Sequence, residues 1–124
     1  MKAARITFAG ILLVVMASVT AFGHHSAAAQ DFNKRVEIEG VIKFWEIANP
    51  HGRVVLRVTD QKGTRDIEFE THSRNNVYRA GYRDGMIKIG EKIKVSIAPN
   101  RDGSDGGYVT GFTTSKGEKV GMGN

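Results

Sequence analysis

The residues in this chain best suited to chemistry are its four histidines, His24, His25, His51 and His72. There is no cysteine, which excludes thiolate ligands, sulfur redox chemistry and a cysteine nucleophile. Nothing matches a phosphate loop, a nucleophile elbow or a zinc-protease helix. Imidazole, with an unperturbed pKa of about 6.5, is neutral and ligating near neutral pH. The chemistry to weigh is therefore metal binding by nitrogen.

Whether His24 can take part depends on how the chain is processed. Lys2 and Arg5 form a basic start, and the segment 6–22 carries no charge. That segment is shorter than the roughly 20 residues a membrane-spanning helix needs. Ala21 and Gly23 then supply the small-x-small pattern of a secretory cleavage site. Residues 1–23 are expected to be a signal peptide, the protein periplasmic, and its membrane contact confined to export. An uncleaved anchor is the competing arrangement. A cut after Ala29 would instead start the chain at Gln30.

Cleavage before His24 leaves a terminal histidine whose free amine and imidazole can chelate one metal. A second imidazole would complete three nitrogens in a plane, a donor set that favours Cu(II). His51 is the best-placed second imidazole and His25 can assist. The arm of about a dozen residues, at roughly 3.3 Å each, easily spans the distance. Copper is thus the expected cofactor, in binding or delivery without turnover. An oxidative enzyme at such a copper would also need an open metal face and a substrate groove. The bland alternative is a solvated His24–His25 arm, with His51 bonded inside its own turn. His72, at a strand end, is expected to be structural.

The elements that must position these residues begin with Val36–Thr59. Val36, Ile38, Ile42 and Phe44 alternate with polar residues, and so do Val54, Leu56 and Val58. A period of two marks half-buried antiparallel strands. Asn49-Pro50-His51-Gly52 is the turn between them, and Gly40 marks a bend or bulge in the first strand. A third strand follows over 64–70 with Ile67 and Phe69 inward. Ser73 caps a helix over 74–80 that Gly81 ends. Met86, Ile87 and Ile89 are expected to cover one end of the core. Strands over 92–98 and 108–114 flank the turn 99–107.

Three strands, one short helix and two strands give an all-β fold with one helix, a five-stranded OB-like Greek-key barrel. The expected organisation is signal peptide 1–23, N-terminal arm 24–35, barrel 36–115 and flexible tail 116–124. An open sheet with one helix packed on it is the other topology.

The run His24-His25-Ser26, then Gly40-Val41 in a strand, then Asn49-Pro50-His51, resembles a family of small exported bacterial domains of unknown function. Its members share an HHS start after the signal sequence and an NPH turn a few tens of residues on. They continue with an arginine-glycine-aromatic segment and a lysine-proline-glycine turn. Arg79-Ala80-Gly81-Tyr82 and Lys88-Ile89-Gly90-Glu91 stand at those places here. Tyr82 replaces the usual tryptophan, Ile89 replaces the proline, and the tryptophan near the NPH turn is displaced to Trp45. The resemblance spans nearly the whole mature chain. It implies a periplasmic OB-like barrel with His24, His25 and His51 at the matching positions.

Other partners are judged on charge and surface. Loss of Lys2 and Arg5 with the signal peptide lowers the net charge from +5 to +3. That is no footprint for nucleic acid, and strands two and three lack outward aromatics. The stretch Asn100–Gly107 invites calcium but breaks the EF-hand pattern and reads as a hairpin turn. Asp66, Glu68 and Glu70 read as a solvated face. Phe44 and Trp45 are consecutive, so one faces in and the other out. An outward Trp45, with Asn49, would give an adaptor barrel a surface for a periplasmic protein or glycan. The preferred placement of Trp45 is beneath the arm.

Overall fold

A computed structural model of the chain describes residues 26–122. The expected signal peptide and both His24 and His25 lie outside the described residues. The first described element is a single turn, α1 (Ser26–Ala29). Then come β1 (Val36–Glu46), β2 (Arg53–Asp60), β3 (Gly63–Thr71), α2 (Arg74–Arg79), β4 (Lys92–Pro99), β5 (Gly107–Thr113) and β6 (Lys119–Gly121).

The strands run in the order β3-β2-β1-β4-β5-β6, and a parallel pairing of β3 with β5 closes the first five into a barrel. This is the OB-like barrel that the element order predicts. Two devices make closure work. β1 pairs with β4 over Val36–Val41 and with β2 over Val41–Glu46. Gly40 sits at the changeover, where a Cβ would lie 2.8 Å from the Arg57 carbonyl oxygen. β5 divides its other edge in the same way, with Gly107–Val109 on β3 and Gly111–Thr113 on β6.

The core is what the alternation leads one to expect along β2, β3 and β4. Val54, Leu56, Ile67, Phe69, Ile93, Val95 and Ile97 are all buried. The Ser73 hydroxyl accepts from the Asn76 N–H to cap α2, Val77 is fully buried, and Gly81 takes a φ of +112° beyond the helix end. The turn 99–107 is indeed a hairpin. Asn100 Nδ2 donates to Ser104 Oγ and to the Asp105 carbonyl, and Arg65 bridges Asp60 and Asp105.

Three expectations fail. Phe44 does not face inward: Gly40 sits where β1 changes partners, and a bulge falls between Ile42 and Phe44. One extra residue reverses which face every later side chain takes. Phe44 is therefore turned out, 37 % exposed, with the Arg53 guanidinium 4.8 Å above its ring. Trp45 and Ile47 turn towards the core instead. Residues 119–121 are not a flexible tail. They form β6, burying Val120, and Met122 packs on the core behind it. Ile89 does not cover the core end. It is 62 % exposed, while Met86 and Ile87 do pack there.

Candidate functional site

The loop joining β1 and β2 is folded back on the end of β3. The Arg74 N–H donates to the Ala48 carbonyl at 3.0 Å, and the Thr71 N–H donates to the Gly52 carbonyl at 3.0 Å. Gly52 is buried, and a side chain there would collide with Glu46 and Thr71. This close approach drives His51 against the β3 terminus, so its ring is not a free tip.

His51 Nδ1 lies 3.2 Å from the Thr71 carbonyl oxygen, 3.3 Å from Glu70 Oε1 and 3.3 Å from the Tyr108 hydroxyl. The carbonyl and the carboxylate are acceptors only. They place the proton on Nδ1, and the lone pair of the neutral ring then belongs to Nε2. An imidazole whose N–H is held by a carbonyl or carboxylate is the arrangement that orients histidines towards metals and raises their basicity.

Tyr108 is the centre of this cluster. The parallel closure sets it opposite Glu70. Three rings meet its phenol edge-on: Phe32 at 5.4 Å, His51 at 6.0 Å and His72 at 4.8 Å between centroids. It is only 6 % exposed. Burial, with the Glu70 carboxylate adding to it, pushes the Tyr108 phenol up to about 12. The phenol is therefore a neutral donor and acceptor under ordinary conditions, not a phenolate.

That shift has a testable sign. An unfolded tyrosine ionises near pH 10. Between about 10 and 12 the folded chain keeps a proton that the unfolded chain loses, so stability falls as pH rises through that window. Alkaline unfolding of Tyr108→Phe should show a shallower decline across it than the wild type. Equal slopes would mean that Tyr108 is not desolvated.

His72 follows the last residue of β3, and its carbonyl accepts from the Thr71 hydroxyl at 3.0 Å. Sequence reasoning treats it as structural, yet its ring lies on the same phenol as His51. It also borders a cleft of about 290 Å³ with Asn76, Arg79 and Met122.

The described part of the arm reaches this place too. Asp31 N–H donates to the Pro99 carbonyl at 2.8 Å, Arg101 N–H donates to Ala29 at 2.8 Å, and Gln30 Nε2 donates to Asn100 Oδ1 at 3.0 Å. Phe32 then lands on Tyr108. Of the expected ligands, His51 is in the cluster, while His24 and His25 lie outside the described residues. Among the described residues no group of three or more His, Cys, Asp or Glu is gathered to hold a metal.

The expected partner surface fares differently. Trp45 is turned inward rather than outward. Its ring packs 6.1 Å from Tyr82 and 5.2 Å from Phe112, and its Nε1 is buried without a hydrogen-bond acceptor. The bulge is the cause. Asn49 is exposed beside a cis bond to Pro50.

Glu70, His72 and Tyr108 are the residues that sequence reasoning misses. On the outer face of β3, Asp66 and Glu68 do pair with Arg57 and Arg53 across β2. Glu70 alone is diverted to His51. The available signal lies in the fold class itself, since closing an OB barrel brings the third strand against the fifth, and so Glu70 against Tyr108.

Fold and cluster together define a small closed OB-type barrel with a histidine–tyrosine patch across its closing seam. Among such barrels, this chain belongs to a family of unknown function, DUF6152, whose profile matches residues 11–110. No curated protein matches the chain. Among the described residues no helix is long and apolar enough to cross a membrane.

Proposed function

We propose that this protein is an exported, periplasmic copper-binding module that holds or delivers the metal without turnover. Cleavage before His24 frees an α-amine, the amine and imidazole of His24 chelate Cu(II), and His51 supplies a further imidazole, with His25 assisting. The HHS start and the NPH turn are then the two halves of one site.

The observation that carries this reading is the setting of His51. Thr71 and Glu70 hold its Nδ1, the arrangement that orients an imidazole and puts the ligating lone pair on Nε2. The arm supports it as well, because Phe32 packs on the same Tyr108 ring that His51 meets. Copper is favoured over other divalent ions because an all-nitrogen planar set suits it and it heads the affinity order.

The test has two stages. Intact mass of exported protein should give a chain beginning at His24; a chain beginning at Gln30 would end the proposal. Competitive Cu(II) titration of that mature protein should then show tight binding, weakened at least about 100-fold in His51→Ala, beyond the cost of losing a mere orienting partner. Equal affinities would return His51 to a purely structural role.

A further inference from the structure

We infer that a furrow across the outer face of β1, β4, β5 and β6 binds an acidic polysaccharide, one that bears carboxylate or sulfate groups. The furrow is separate from the histidine cluster, since no histidine lines it. It stands whether or not the protein holds a metal.

Its course is set by the strand register. Three clefts, of about 200, 210 and 220 Å³, run into one another. Glu39 and Lys92 line both the first and the second, while Lys94 and Thr113 line both the second and the third. Glu39 of β1 stands opposite Lys94 of β4, Lys94 opposite Thr113 of β5, and Thr113 opposite Lys119 of β6. Four adjacent strands spaced about 4.8 Å apart give a track on the order of 15 Å long. That suits a run of linked sugar units better than a single free anion.

The charge along the track favours a polyanion. Arg35, Arg57, Lys92, Lys94 and Lys119 line it, against Glu37 and Glu39. Arg57 is engaged by Asp66 at 2.8 Å. Among the described residues Lys92 and Lys119 form no salt bridge. Lys94 reaches Glu37 at 3.8 Å, and Glu37 is 71 % exposed, so an incoming anion replaces that pair at little cost.

The middle of the track is shaped by a bulge. Ser96 pairs with Gly111 and Ile97 with Val109, which leaves Thr110 as the extra residue of β5. Thr110 is buried, and its hydroxyl donates to the Ser96 carbonyl at 3.2 Å. Bulges of this kind re-aim side chains beside binding sites. The hydroxyls of Ser96 and Thr113 line the track beside Lys94, and each can donate to or accept from a sugar hydroxyl. The same lining disfavours other polyanions. Its single aromatic, Phe112, is buried, so it offers no platform on which the bases of single-stranded nucleic acid could stack. Ile93 and Val120 are buried as well, which leaves little apolar surface to seat a protein partner's anchor residue. Clustered cations are what surfaces that hold acidic glycans such as heparin share.

The experiment measures calorimetric binding of the exported protein to oligogalacturonate, a carboxylated glycan, and to heparin oligosaccharide, a sulfated one. Methyl-esterified oligogalacturonate keeps the sugars and removes the charge. Oligothymidylate and polyglutamate of matched charge keep the charge without the glycan. At least one acidic glycan should bind, less tightly as salt rises, and the ester should not. Lys94→Gln with Lys119→Gln should bind that glycan at least about tenfold more weakly, as loss of charged hydrogen bonds requires. Both lysines are exposed, so their exchange leaves the fold intact. Lys62→Gln with Lys88→Gln removes the same charge away from the furrow and should bind as the wild type does. Failure of both glycans to bind would overturn the proposal. Equal weakening in the Lys62 and Lys88 variant would overturn the site, by showing attraction to net charge alone. Equal or tighter binding of oligothymidylate or polyglutamate would overturn the choice of partner.

Discussion

Gly52→Ala is expected to destabilise the fold by about 3 kcal/mol, the upper part of the usual range for forcing atoms into a packed site. The added Cβ would lie 2.3 Å from the Glu46 carbonyl oxygen, 2.4 Å from Thr71 Oγ1 and 3.1 Å from the Ile47 Cα. Two of those three atoms are backbone, so no rotamer change relieves the clash. The β1–β2 loop must instead lift from β3, lengthening the Thr71 N–H bond to the Gly52 carbonyl. His51 is the adjacent residue and would move with it, away from Thr71 and Glu70. Denaturant unfolding measures the first effect and copper affinity the second. Gly121→Ala is the matched control, because nothing lies within 4 Å of its added Cβ. It should change stability by no more than about 0.5 kcal/mol. If the two variants behave alike, the loop is not packed as described.

Phe69→Ala is expected to cost about 3 kcal/mol, at the low end of the range for emptying a buried phenylalanine site. Phe69 is 2 % exposed and sits in β3 between Val54 of β2 and Gly107 of β5. It therefore fills the inside of the barrel where the last pair of strands closes. The low end applies because Phe69 also lines a cleft of about 270 Å³ with Ile38, Ile67 and Ile97. A space that opens to water is less costly than a sealed cavity. Chemical denaturation checks the value. A cost under about 1 kcal/mol would mean that β3 and β5 close without a packed interior.

Much of the barrel is legible in the sequence because strand burial repeats every two residues; β2 and β3 keep that repeat, and β4 keeps it as far as Ile97, where Ala98 is buried as well. β1 does not. Phe44 and Trp45 are both large and aromatic, so hydrophobicity alone cannot tell which one a bulge has turned inward. β6 is hidden for a different reason. It is three residues long in a glycine-rich stretch, and only Val120 is buried. The site divides along the same line. His51 is readable as a residue of the hairpin turn, since turn chemistry is local. Its partners Thr71 and Tyr108 stand 20 and 57 residues further along the chain. Proximity of that kind is created by tertiary closure and leaves no periodic trace. The contact of His72 with Tyr108 arises in the same way, from a ring that a parallel pairing brings to it.

The parallel contact between β3 and β5 is three residue pairs long, with Glu70 opposite Tyr108 as its middle rung. His51 and its partners Glu70 and Tyr108 sit over that short join. An ion held by His51 would act as a clasp there, coupling the first hairpin to the end of β3 across the line where the cylinder meets itself. Loading the metal and shutting the cylinder would then be one linked equilibrium, each favouring the other by the same free energy.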